Sequence, residues 1–222
     1  MGVQERRERE RLELRQKIID AARGIFADEG YDNVSMRRIA DAIEYSPTAI
    51  YVHFRDKQDL FQQILRSDFD ALAVEFRKLA SIHDPVERIR ASGLQYIRFA
   101  VEYPHHYKLM FMTPLAGEQK PLDADDLKKR GNPDIDSYAF LHTAVEAAMS
   151  AGRFRPELRD AQLITQVLWA GVHGIASLEI AMRCDKWIDW RPIEDRAALM
   201  VETCLRGLLA DAKPPSRKGA RS

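Results

Sequence analysis

The chain carries only two cysteines in 222 residues, Cys184 and Cys204, too few and without the spacing for a disulfide framework or a thiolate metal site. Both are expected to be reduced. No uninterrupted apolar run comes near the roughly 20 residues that span a bilayer, and the opening MGVQERRERERLELRQK is too charged for a secretory leader. The expectation is a cytoplasmic protein with no membrane partner. Charge of one sign is lacking as well: 34 basic and 34 acidic side chains give a formal net charge of zero, which excludes a protein held on nucleic acid by bulk electrostatics. Any such contact must concentrate its cations locally. There is no glycine-rich phosphate loop, no nucleophile elbow, and no pair of carboxylates placed as in a glycosidase. No enzyme activity and no cofactor are expected.

What is present reads almost entirely as helix, with start signals at Asp56, Asp84-Pro85 and Pro104 and a proline-rich connection from Thr113 to Pro133 that has room for a helical piece at Asp123 to Lys129. Helical patterns resume at Asp134 to Ala151, Arg159 to Met182 and Ile193 to Ala210. The expected class is all-α, about nine helices: an N-terminal three-helix module, one long connector and a C-terminal helical domain. The predicted divisions are a charged extension at 1–11, an N-terminal domain at 12–72, a C-terminal domain at 73–211 and a disordered basic tail at 212–222.

The densest information lies in Ser35 to Lys57, SMRRIADAIEYSPTAIYVHFRDK. Ser35 suits an N-cap before Met36 to Ile43, where Ile39, Ala40 and Ile43 share one face and Arg37, Arg38 and Asp41 face away. Ser46 before Pro47 starts a second short helix running to about Phe54, because serine accepts from orphan amides and proline has no amide to leave unpaired. With small Ala40 at the crossing, the two helices form a helix-turn-helix over about 35–54, a unit whose second helix lies in a DNA major groove.

The run from Ile18 to Phe61 strongly resembles the N-terminal domain of TetR/AcrR-type transcriptional regulators. Ala21, Ala22, Phe26 and Gly30 match its first helix, Ser35, Met36, Ile39 and Ala40 its second, and Ala49 to Leu60 (AIYVHFRDKQDL) its A-I-Y-x-H-F-x-D-K-x-x-L element. One departure is Glu44, in a turn where the family often has glycine; a left-handed backbone there would cost glutamate about 1 kcal/mol. The resemblance implies phosphate contacts from Tyr51, His53 and Lys57. Base reading is expected from Arg37, Pro47, Thr48 and Ala49, with Ser35 and Arg38 completing the surface. The resemblance also implies a DNA-binding domain at 12–72, an effector-binding and dimerisation domain at 73–211, and a homodimer on a palindromic operator, more readily a repressor than an activator.

In the C-terminal half, Trp169, Gly171, His173 and Gly174 interrupt the apolar run LWAGVHGIASLEIA, and this segment resembles the Trp-His-Gly type of C-terminal domain within the same family. Trp169 and His173, four residues apart on one helix face, are candidates to line an effector cavity with Tyr96, Phe99, Met110, Phe111 and Tyr138, the effector being a small, mostly apolar molecule. Core packing is the competing account for each. Three of His105, His106, His142 and His173 could also converge on a divalent metal with Glu102, Glu146 or Glu179, although no ligand spacing supports it and no metal site is assigned. The alternatives to a DNA-binding regulator are a helical small-molecule or metal carrier and a protein-interaction adaptor.

Overall fold

Side-chain caps fix where several helices begin. The Ser35 hydroxyl accepts from the Arg38 amide at 3.1 Å and Ser46 from the Ala49 amide at 3.3 Å. Asp84 accepts from the amides of Val86 and Glu87, and Asp160 from that of Leu163 at 3.0 Å, each satisfying first-turn donors that have no partner inside the helix. The computed structural model describes residues 2–113 and 124–210. Among these it contains α1 (Val3–Glu29), α2 (Met36–Ile43), α3 (Pro47–Tyr51), α4 (Lys57–Arg77), α5 (Pro85–Glu102), α6 (Pro104–Tyr107), which runs into a π-helical turn at Lys108–Met112, α7 (Ala124–Lys129), α8 (Ser137–Ser150), α9 (Ala161–Met182) and α10 (Ile193–Leu208). The fold is all-α, with α7 as the helical piece in the connection. The only extended pairing among the described residues is one bridge between Phe154 and Leu209. The tail at 212–222 and the connection at 114–123 lie outside them.

The chain divides into two compact units, Met1–Glu75 with Arg98–Ser137 and Phe76–Ile97 with Tyr138–Ser222, so the boundary passes through α4 and α5. In the first unit α2 packs on α1 and α3. Ile18, Ala22 and Phe26 of α1 meet Ile39, Ala40, Ile43, Ile50, Phe54, Leu60 and Ile64 in one core, which Leu109 of the π-helical turn completes. Phe26 stands edge-on to Phe61 at 5.3 Å; burying a side chain of that size contributes about 2–3 kcal/mol. In the second unit α10 packs along α9. Gly171 makes room for that approach, since a β-carbon there would sit 2.8 Å from Met200 Sδ, whereas one at Gly174 would meet nothing within 4 Å. Both cysteines are free.

One expectation changes. Helix α9 has the length and composition of a membrane span, 22 residues with a mean hydropathy of 1.3 in its most apolar window and 28% of that window buried. Counting only uninterrupted apolar residues overlooked it, because Gln162, Gln166 and His173 break the run without adding charge and Glu179 is its single charged residue. The apolar residues of α9 and α10 divide by exposure. Leu163, Val167, Leu178 and Leu199 are exposed, but Val201 and Leu205 are buried within the unit, where Val201 lies against Gly93 of α5.

Candidate nucleic-acid interface and sensor site

The turn between α2 and α3 closes through the Tyr45 amide on Ala40 O at 3.0 Å, and this requires Glu44 to adopt φ 62°, ψ 39°. It is the only non-glycine residue with positive φ among those described. The left-handed residue ends α2 within eight residues and turns the chain sharply into the Ser46 cap. Ile50 and Phe54 anchor α3 in the core while Thr48, Tyr51 and Val52 face solvent and Pro47 and Ala49 are half-buried. Arg37 is exposed, with Asp41 at 4.0 Å as its only ion-pair partner among the described residues.

Other residues of the expected interface have structural partners. The Arg38 guanidinium donates to Glu29 at 2.8 and 3.1 Å, tying α2 to α1. The Lys57 ammonium donates to Tyr31 O and Val34 O, both at 2.9 Å, and lies 4.3 Å from the centre of the Tyr31 ring. Two of its three protons thus hold the α1–α2 loop, which the sequence pattern did not indicate. The imidazole of His53 is half-buried; burial first, then the positive charges of Arg11 and Arg15, push its pKa below the ordinary value. A neutral ring offers a single N–H to a phosphate.

In the second unit, Tyr96, Tyr138, Trp169 and His173 come together. Trp169 Nε1–H donates to the Tyr96 hydroxyl at 3.0 Å, and that hydroxyl lies 3.3 Å from His173 Nδ1. Tyr138 stands edge-on to Trp169 at 6.1 Å and donates to Gln162 Oε1 at 2.6 Å. Burial lowers the His173 pKa, so the ring is neutral at pH 7 and Nδ1 or Nε2 remains an acceptor according to its tautomer. One tyrosine hydroxyl thereby organises the indole and the imidazole, an arrangement suited to presenting a few polar atoms among aromatic faces.

Residues 18–64 match the model of the tetR family of bacterial regulatory proteins, and residues 89–204 match that of the tetracyclin repressor-like C-terminal domain. The chain belongs to the TetR family. An HTH-type transcriptional regulator of Staphylococcus aureus strain MRSA252 is 28% identical over 108 residues, 49% of this chain and 57% of that protein; the chain spans about half the length of the curated relatives it matches. Among solved structures, a Rhodococcus sp. RHA1 protein of unknown function superposes with a TM-score of 0.68 at 24% identity, covering 89% of this chain and 96% of its own. The ketosteroid transcriptional regulator KstR2 of Mycobacterium tuberculosis superposes with a TM-score of 0.66 at 18% identity, covering 89% of this chain and 95% of its own. At these identities the likeness is one of fold.

Within this TetR-family chain, Phe99, Met110 and Phe111 belong to the first unit. Phe111 packs edge-on against Phe69 at 5.6 Å, and Phe99 lies 5.2 Å from Tyr103. The histidines are dispersed: His105 faces Asp28 at 3.5 Å, His106 faces Asp68 at 3.8 Å, and His142 contacts Thr165 and Glu146. No group of three or more His, Cys, Asp or Glu among the described residues is placed to hold a metal ion.

The sequence pattern also missed a buried charge cluster in the first unit. Asp68 of α4 is fully buried and accepts from Arg23 Nε at 3.0 and 3.3 Å, while Arg23 Nη1 donates to Asp20 at 2.7 Å. Beside it a groove of about 310 Å³ is lined by Arg23, Gly24, Glu102, Tyr103, His105 and His106, among others. A signal was there: Asp68 follows Ile64 by four residues and precedes Leu72 by four, so a carboxylate occupies an apolar register and demands a buried partner.

Proposed function

We propose that the chain is a cytoplasmic one-component transcriptional regulator, a homodimeric repressor that binds a palindromic operator through α3 and releases it when a small, mostly apolar effector binds the C-terminal domain. The observation that carries this reading is the surface of α3. Its core side is fixed by Ile50 and Phe54, its start by Ser46, and its entry by the left-handed Glu44, so Thr48 and Tyr51 stand exposed on a rigid support. Exposed Arg37 at the start of α2 can bind guanine bidentately, and Thr48 and Ala49 can touch a thymine methyl. Tyr51, His53, the third proton of Lys57, Ser35 and Arg38 position the backbone. Exposed Leu163, Val167, Leu178 and Leu199 support a face for a second copy on α9 and α10. The cluster of Tyr96, Tyr138, Trp169 and His173 supports an effector site with few polar atoms. An effector acts by binding two dimer arrangements unequally, and α4 is continuous across the boundary between the units.

The test is selection of duplexes from a random pool by the full-length protein. A two-fold symmetric consensus is expected, and Arg37→Ala or Thr48→Ala should relax one position per half-site by about 1–3 kcal/mol. Enrichment of no sequence, or an unchanged consensus in both variants, would overturn the assignment of α3 and Arg37.

A further inference from the structure

The first thirteen residues alternate sign so regularly that they read as a solvated extension, yet the structure gives their two sides different characters. Helix α1 runs unbroken from Val3, and every residue from Gly2 to Glu13 is exposed, with core contact beginning at Leu14. The eleven residues Val3–Glu13 therefore overhang the core by about 16 Å at 1.5 Å per residue. On one side Arg6 pairs with Glu10 at 3.5 Å and Arg9 with Glu13 at 3.6 Å. The opposite side carries Arg7, Arg11 and Arg15 at successive i,i+4 positions, one stripe along the helix.

That stripe leads to the recognition helix. Arg15 donates to Gln63 of α4, and its guanidinium carbon lies 5.3 Å from the centre of the Phe54 ring, next to His53. Arg11 is close enough for its charge to act on His53 as well. Glu8, 3.7 Å from Arg11, is the only carboxylate paired with the stripe among the described residues, and Arg7 has no ion pair within 4 Å among them. An exposed pair such as Glu8–Arg11 is worth little in water and yields readily to a phosphate.

We propose that Arg7, Arg11 and Arg15 form a phosphate-binding stripe that carries the protein's DNA contact beyond the half-site onto the flanking duplex. The proposal rests on the operator-binding function above and adds a partner surface to it: the backbone of double-stranded DNA, read without regard to sequence. An overhang of about 16 Å matches the rise of about five base pairs, with phosphates about every 3.4 Å along each strand. Local concentration of cations also answers how a chain of zero formal charge can hold a polyanion.

The test compares two full-length double variants on fluorescein-labelled duplexes, with a core selected by the wild-type protein from a random pool and flanks of fixed arbitrary sequence. Alanine preserves the helix in both, which circular dichroism checks. Arg7→Ala with Arg11→Ala should reduce the magnitude of the log-log salt slope by about 0.9 per phosphate lost, about 3.6 for two arginines in each of two subunits. It should shorten the hydroxyl-radical footprint at both ends and leave the selected consensus intact. Arg6→Ala with Arg9→Ala, on the paired side, should keep the wild-type slope and footprint. Equal slopes and footprints for both variants and wild type would overturn the stripe while leaving operator binding standing. A wild-type protein that selects no sequence would overturn operator binding and the stripe with it.

Discussion

Replacing Asp68 by asparagine should change how stability depends on pH more than it changes stability at neutral pH. Burial pushes the Asp68 carboxyl up to about 6 even though Arg23 opposes the shift, and Asp20 adds to it. Burial, aided by the charges of Arg23 and His105 and opposed by Asp20, pushes the neighbouring His106 down to about 4. The two act in opposite directions over the same pH window. A carboxyl whose folded pKa is raised adds stability that is complete below its unfolded value of 3.8 and is lost as pH rises through about 6. An imidazole whose folded pKa is depressed adds stability that is present above 6.5 and is lost as pH falls through about 4. Acidification from about pH 7.5 to 4.5 should gain about 2 kcal/mol from Asp68, at about 1.36 kcal/mol per unit, against a loss of similar size from His106 that its partial exposure reduces. The wild-type pair therefore nearly cancels. Asp68→Asn removes the gain, so this variant should lose about 2 kcal/mol more than wild type over that range, and His106→Leu should instead become relatively more stable in acid. Urea denaturation at about pH 7.5, 6 and 4.5 gives the three profiles. Parallel profiles would refute the account of the cluster as two opposed titrations.

Two further substitutions test the local geometry. Glu44→Gly removes the steric cost of the left-handed residue and should stabilise the protein by about 1 kcal/mol, raising Tm by about 2–4 °C for a chain of this length; a lower Tm would mean that the glutamate side chain compensates its backbone. Tyr96→Phe takes the hydroxyl from both Trp169 Nε1 and His173 Nδ1 and should cost about 1–3 kcal/mol, read from the urea midpoint together with a change in tryptophan emission, whereas an unchanged midpoint would show that the hydroxyl organises nothing.

The helix-turn-helix is legible in the sequence because each of its determinants is local. Ser35, Ser46 and Pro47 act within one helical turn, the apolar spacing of Ile39, Ala40 and Ile43 fixes the buried face, and the need for an unusual backbone falls on one residue, Glu44. Lys57 shows where locality ends. Its position in the motif implies a phosphate contact, but its carbonyl partners lie 26 and 23 residues earlier in the chain, and only the folded loop brings them within reach. Arg23 and Asp68 are 45 residues apart; each looks like a polar interruption of its helix until the other is beside it.

Helix α9 poses the converse problem, because its composition is clear and its environment is not. A segment with one charge in 22 residues reads as buried all round, yet only 28% of its most apolar window is buried within this chain. The polar positions explain part of the difference: Thr165 Oγ1 back-bonds to Ala161 O and meets His142, His173 meets Tyr96, and Glu179 pairs with Arg196 of α10. These side chains are satisfied by their own unit, leaving Leu163, Val167 and Leu178 on the exposed side. With Ile164, Leu168, Val172 and Ala176 buried in their own unit and Leu163, Val167 and Leu178 exposed, the helix carries apolar side chains on more than its core side. That second apolar side supports the proposed second copy against α9 more directly than the helix's hydrophobicity, which a core helix or a membrane span would share.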